Sequence, residues 1–189
     1  MSNEFCLKNH FLVAMPALLD QHFFHSVVYV CQHNDDGAMG LVINKPTDIN
    51  IKELLDHVQI AYPQDDLDLL TQPVLSGGPL QQERGFILHR VSGSWQSSMD
   101  VTEELALTTS RDILEAMAEN VAPEEFLVTL GYASWEAGQL EQEMMNNHWI
   151  SLPATLEILF RTPIHMRWQA AAQLLGVDMF KISGEAGHA

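Results

Sequence analysis

Gln139, Glu143 and Asn147 stand four residues apart in turn, a spacing that stacks their side chains on one face of a helix. A carboxylate between two amides could hold a cationic or hydroxyl-bearing ligand, although a solvated helix face carries the same residue types. Ser76-Gly77-Gly78-Pro79 is a second candidate, because successive backbone N–H groups can form a concavity for an anion, with Arg84 and Arg90 close in sequence. It is no P-loop, since G-x-x-x-x-G-K-[ST] is absent, and Gly-Gly-Pro is first of all turn punctuation. The hydrolase elbow G-x-S-x-G is also missing, which argues against Ser76 or Ser134 as a nucleophile. Glu141 and Glu143, two apart on a helix, point about 200° away from each other and cannot flank one scissile bond. His22 and His25 have an H-x-x-H spacing, but a metal site needs three or more convergent ligands, so no metal and no cofactor is predicted. Cys31 lies in an apolar run where a thiol acts as a small hydrophobe, and Cys6 has no C-x-x-C partner, so neither is assigned redox chemistry. In Thr109-Ser110-Arg111-Asp112 the hydroxyls cap a helix, Asp112 meets its dipole, and Arg111 is expected to pair with Glu115.

The elements that must position these residues follow from apolar periodicity. Residues 11–15 read as a strand ended by Pro16. The runs 27–31 and 38–44, joined by the Asp-Gly turn of 33–37, read as a hairpin buried on both faces. Asn50 with Glu53 resembles a capping box that opens a short helix through Val58, with Ile51, Leu54, Leu55 and Val58 on one face. Residues 61–71 read as an exposed acidic loop. Residues 73–76 and 85–90 are strands, and 94–99 would pair with the second across Ser92-Gly93. A helix from Thr109 or Ser110 to Asn120 buries Ile113, Leu114, Met117 and Val121. The strand 126–130 breaks at Gly131. A helix of about three turns follows between Trp135 and Trp149, with Leu140 and Met144 as its apolar row. Thr162-Pro163 opens a last helix that buries Trp168 and ends at Gly176. Strands and helices do not alternate as in a βαβ array, so the fold class is α+β with a mixed sheet. The chain reads as a single domain over 1–182, with a small polar tail at 183–189.

Charge narrows the partners. Nine Lys and Arg stand against 25 Asp and Glu, a formal net charge of -16. Such a surface repels phosphate backbones, so no direct nucleic acid binding is predicted. Residues 11–19 (FLVAMPALL) resemble a signal-peptide core, but Glu4 sits before them, Pro16 within them, and Asp20-Gln21-His22 where small cleavage-site residues should stand. No run of about 20 apolar residues exists, so no membrane partner is expected, and two cysteines suit a reducing compartment. These features predict a cytoplasmic protein.

Taken together, FLVAMPALLD…FFHSVVYVCQHNDDGAMGLVINKP (11–46), SGGPLQQERGFILH (76–89), TSRDILEA (109–116), LGYASWEAGQLEQEMMNNHW (130–149) and RTPIHMRWQAAAQLLG (161–176) resemble the YqgE/AlgH family of bacterial proteins. The resemblance spans nearly the whole chain in order. It implies a single compact α+β domain with a mixed, partly barrel-like sheet flanked by helices. It implies little chemistry, because the family has no established biochemical activity. Some members carry the label of a transcriptional regulator of alginate synthesis, a label that the acidic charge does not support as direct DNA binding. Ser134 departs from the family pattern, which more often has Gly after Tyr-Ala. Two readings of function follow. One is a non-enzymatic domain that binds a protein or small-molecule partner, with an indirect regulatory role. The other is an enzyme with its site between the 76–90 segment and the 131–149 turn and helix. Either would use Ser76, Gly77, Gly78, Arg84, Gln139, Glu143 and Asn147.

Overall fold

A computed structural model describes residues 5–16, 18–121 and 123–176; the 183–189 tail lies outside the described residues. Among the described residues ten strands form one curled, half-barrel sheet. Its first strand, β1 (His10–Ala14), lies between β2 (Val27–Asn34) and the last strand, β10 (Trp149–Pro153). The predicted hairpin joins β2 to β3 (Gly37–Val42) through Asp35-Asp36. Val27, Tyr29 and Cys31 face the inside of the curl, while Val28 and Val30 face the opposite side, in a core shared with Ala133 and Trp135, so β2 is buried on both sides as its unbroken apolar run requires.

The middle of the chain holds more structure than its polarity suggests. Pro46 opens a strand, β4 (Pro46–Asn50), which pairs with β5 (Pro73–Ser76). Between them lie α1 (Ile51–His57), with both bonds of the Asn50–Glu53 capping box present, and a single turn, α2 (Leu67–Leu70). That turn sits inside the stretch expected to be an exposed loop. Asp66 caps it and Leu69 and Leu70 are buried, so two leucines outweigh the surrounding carboxylates.

The long strand β6 (Leu80–Arg90) begins five residues before its expected start. On the edge expected to carry the 94–99 segment its antiparallel partner is β8 (Leu105–Thr108), and that segment supplies only β7 (Ser98–Asp100) against β8. All four residues of β8 are buried, and so short a run has no alternation to betray it. The helix α3 (Arg111–Ala118) buries Ile113, Leu114 and Met117. It stops before Val121, which is exposed, because Asn120 takes a positive φ.

The hub is β9 (Phe126–Glu136). Its first half pairs with β6 and, in the sheet's parallel contact, with β5; its second half pairs with β3. It does not break at Gly131. At φ +77° Gly131 forms a bulge that shifts the alternation by one residue. Leu127 and Tyr132 therefore both face the inside of the curl, whereas Val128 and Leu130 face the core under α1 and α3, and Ala133 and Trp135 a third core.

That third core is covered by α4 (Gln139–Met145), a helix of about two turns rather than three. The curl is closed by a π-helical turn (Glu157–Arg161), a 3-10 turn (Ile164–Met166) and α5 (Arg167–Leu174). Trp168, expected to be buried, is half-buried: its indole N–H donates to the Ala14 carbonyl at 3.2 Å and its ring stacks on His25 at 4.5 Å. The buried residues of that helix are its neighbour Arg167 together with Ala171 and Ala172. Trp168→Ala should cost about 2–3 kcal/mol in urea unfolding, below the ~3–5 of a fully enclosed tryptophan.

Candidate functional site

A cleft of about 450 Å³ opens between α1, the start of α3 and the middle of the sheet. Its apolar floor is made by Ile49, Leu54, Ile87, Leu114, Val128 and Leu130, residues that also build the core beneath the helices. Its rim is polar: His57 and Val58 end α1, Thr109, Ser110 and Arg111 begin α3, and Glu83, Arg84 and Gly85 come from β6.

The position of Arg84 is a consequence of strand register. Leu80 pairs with Tyr132 and Gly85 with Leu130, so residues 81–84 of β6 lie opposite Gly131 alone as a bulge in the strand, with Gln81 at φ +46°. The bulge is exposed and carries Arg84 to the rim, where its Nη2 donates to Thr109 Oγ1 at 3.2 Å and its Nη1 lies 3.5 Å from Gln81 Oε1. The guanidinium carbon is 5.7 Å from the Phe86 ring centroid. Thr109 in turn donates to Ser97 Oγ at 3.2 Å.

Arg111 plays a different part. It pairs with Glu115 at 2.9 Å, as expected, and also donates to the Val58 and Gln59 carbonyls that end α1, so it ties the two helices together. At the start of α3, Ser110 donates to Asp112, and Asp112 accepts from the backbone N–H groups of Ile113 (3.1 Å) and Gln96 (2.8 Å). The donors of that helix end are thus partly taken by its own carboxylate.

The other expected site residues stand elsewhere. Ser76 donates its N–H to the Lys45 carbonyl at 2.7 Å. Gly77 donates to the Leu130 carbonyl and accepts from Val42, both at 2.8 Å, so its backbone joins β3 to β9. An added Cβ on Gly77 would come within 2.7 Å of Thr129 Oγ1, and one on Gly78 would overlap the backbone of Tyr132 and Ala133. These glycines allow close backbone packing.

Gln139 and Glu143 do share a helix face. Both indole N–H groups of Trp135 and Trp149 donate to Glu143 Oε2, at 3.0 and 2.8 Å, and Gln139 donates to its other oxygen at 3.1 Å. Asn147 lies beyond the helix at φ +57° and leaves the stripe. None of the cleft's lining residues comes from α4. The structure therefore places Arg84 in a cleft and Glu143 in a separate hydrogen-bonded clamp.

Two buried polar residues had no signal in local sequence. His89 is enclosed, with Nδ1 at 2.8 Å from the Arg90 carbonyl and Nε2 at 2.8 Å from Thr108 Oγ1, which is 2.9 Å from Ser98 Oγ. The carbonyl must face Nδ1–H, so Nε2 accepts from the Thr108 hydroxyl. Burial holds this imidazole below its ordinary pKa of 6.5, against the opposing effect of the Arg90 carbonyl. As pH falls below about 6.5 the unfolded chain takes a proton that the folded chain refuses, so stability is lost between that pH and the folded pKa and is unaffected above it. His89→Gln should flatten this part of the stability curve relative to the parent, as read by urea unfolding at about pH 7.5 and 5.

Arg167 is the second. Its Nε donates to the Thr162 carbonyl at 3.1 Å and its Nη1 to the Ile43 carbonyl, and burial lowers its pKa to about 10. Among the described residues no three His, Cys, Asp or Glu side chains converge as a metal site would require, and no helix is long and apolar enough to cross a membrane.

Comparison with known proteins sets this geometry in a family. The DUF179 model, described as AlgH-like, matches residues 11–180. A UPF0301 protein of Thioalkalivibrio sulfidiphilus is 57% identical over 181 residues, covering 96% of each chain. The UPF0301 protein YqgE of Escherichia coli is 50% identical over 185 residues, covering 97% of this chain and 99% of its own. Among solved structures, that of the AlgH protein from Pseudomonas aeruginosa superposes with a TM-score of 0.79 at 44% identity, covering 100% of this chain and 99% of that one. A Corynebacterium diphtheriae protein at 19% identity shares the fold, with a TM-score of 0.69 over 89% of this chain and 86% of its own. The match of the family model across most of the chain, with relatives at this identity over nearly their whole length, shows that the chain belongs to the AlgH-like family.

Proposed function

We propose that the chain is a small-molecule-binding domain of the cytoplasm, that its ligand site is the cleft between α1, α3 and the β6 bulge, and that any regulatory role is indirect, without contact to DNA. The observation that carries this reading is the cleft itself. About 450 Å³ lies in the range of small-ligand pockets, and an apolar floor with a few convergent polar groups at the rim is their usual composition. The charge of -16 supports the exclusion of DNA. Of the sequence candidates, Arg84 belongs to this site, while Gln139 and Glu143 support the tryptophan clamp.

Titration of isotope-labelled protein with amphiphiles of about six to ten carbons tests the reading, since such molecules match the cleft's size and polarity. Amide shifts should cluster at residues 49, 57–58, 84–85 and 109–111. Val58→Trp, which places an indole at the rim, should abolish them. Shifts that map to another surface, or that persist in Val58→Trp, would overturn the assignment.

A further inference from the structure

The geometry points to a monocarboxylic acid with an alkyl or aryl body as the ligand class of this cleft, its carboxylate on Arg84 and Thr109 and its body along the floor; this rests on the cleft being a ligand site. The chain carries 25 carboxylate side chains; Arg90 and Arg111 each pair with one and Arg161 with two. Of the arginines among the described residues, Arg84 and Arg167 have no carboxylate partner; Arg167 is buried on two carbonyls, and Arg84 is exposed. Its bonds are to a neutral hydroxyl and, at a long 3.5 Å, to a neutral amide oxygen. A guanidinium has five N–H donors in a planar fork suited to a carboxylate, and most of this fork is uncommitted.

The site is built to hold the cation in place. The bond to Thr109 fixes one arm, and the Phe86 ring lies beside the guanidinium. Gly85, next in the chain, bears no side chain to obstruct the rim, and an added Cβ there would meet nothing within 4 Å.

The same surroundings select a single negative charge. The second arginine on the rim, Arg111, is already neutralised by Glu115 and committed to carbonyls of α1. Asp112 takes the Ile113 N–H at the start of α3, and Glu83 adds a negative charge to the rim. A phosphate dianion needs several convergent cations or free N–H groups, and it would find one uncommitted cation, Arg84, beside the Glu83 carboxylate. A neutral molecule of the same length would bury the same apolar area but leave the Arg84 fork unused.

A matched ligand set separates these cases: octanoate, 1-octanol, octylammonium and octyl phosphate, each below its micelle-forming concentration. Thermal shift and chemical-shift titration would be run on the full chain, as the parent, Arg84→Gln and Val58→Trp. Arg84 is exposed in the bulge of β6, so its glutamine variant should fold normally. Octanoate should bind best and move the Arg84 Nε resonance. Arg84→Gln should weaken octanoate about tenfold, as expected for one lost charge-assisted pair, and leave octanol unchanged. Equal binding of octanol and octanoate with no effect of Arg84→Gln would overturn the carboxylate assignment while the cleft stands. Preference for octylammonium or octyl phosphate would overturn it in favour of the other charge class. Absence of binding by all four, or binding that survives Val58→Trp, would remove the cleft as a ligand site and the carboxylate assignment with it.

Discussion

Gly78→Ala is expected to leave little folded protein, with a loss of more than about 4 kcal/mol, most of the stability of an ordinary domain. Gly78 has φ +156°, and an added Cβ would overlap the backbone of Tyr132 and Ala133. Backbone cannot swing aside as a side chain can. The β9 strand it would displace pairs with β3, β5 and β6 at once. Its neighbour Gly77 joins β3 to β9 by two hydrogen bonds, and Gly131, opposite, approaches the Gly78 carbonyl so closely that its own Cβ would lie 2.6 Å away. Three glycines thus let two segments touch where the sheet curls. Gly138→Ala is the control. It also has a positive φ, +76°, but a Cβ there would meet nothing within 4 Å, so only the backbone strain of about 1–2 kcal/mol should be lost. Urea unfolding of the two variants checks the contrast; similar losses would show that backbone strain, and not close packing, sets the cost at Gly78.

Glu143→Ala should cost about 3 kcal/mol. One carboxylate oxygen accepts from two indole N–H groups whose tryptophans are 3% and 2% exposed, and the two rings stand edge-on with centroids 6.1 Å apart. Removing the acceptor strands two donors beside a core, at about 1–3 kcal/mol each, and water entering past the half-exposed position offsets part of that. Glu143→Gln keeps an oxygen for both indoles and loses only the bond from Gln139, so it should cost about 1 kcal/mol. Urea unfolding followed by tryptophan fluorescence would read both. If Glu143→Ala stayed within about 0.5 kcal/mol of the parent, the range of ordinary surface changes, the clamp would have no structural role.

Much of the chain was legible residue by residue. The Asp-Gly turn, the capping box at Asn50 and Glu53, the inward face of α3, the Arg111–Glu115 pair and the two-sided burial of β2 depend on neighbours within about four residues, the range over which hydrogen-bonding and apolar periodicity act. The same holds for Leu140 and Met144, which pack on the sheet, and for the family resemblance, since in-order agreement along a chain is itself sequence information. Extended structure past Gly131 was not legible. A glycine at positive φ ends a strand or shifts its alternation by one residue, and only the partner strands decide which.

The membership of the cleft was settled the same way. Sequence alone determined that Arg84 stood in a chain short of cations and near a glycine turn, and it grouped Arg84 with the stripe of Gln139, Glu143 and Asn147. Tertiary structure set it against Thr109, 25 residues away, and across a cleft from α1, because the register of β6 on β9 leaves residues 81–84 as a bulge in the strand on the side where α1 and α3 pack. It likewise turned Glu143 towards two tryptophans, because the bulge at Gly131 puts Trp135 on the face that α4 covers. A strand's register is the sum of many weak long-range pairings, and a slip of one residue exchanges its two faces, so the neighbours of a side chain at a sheet edge are a property of the assembled sheet and not of the local chain.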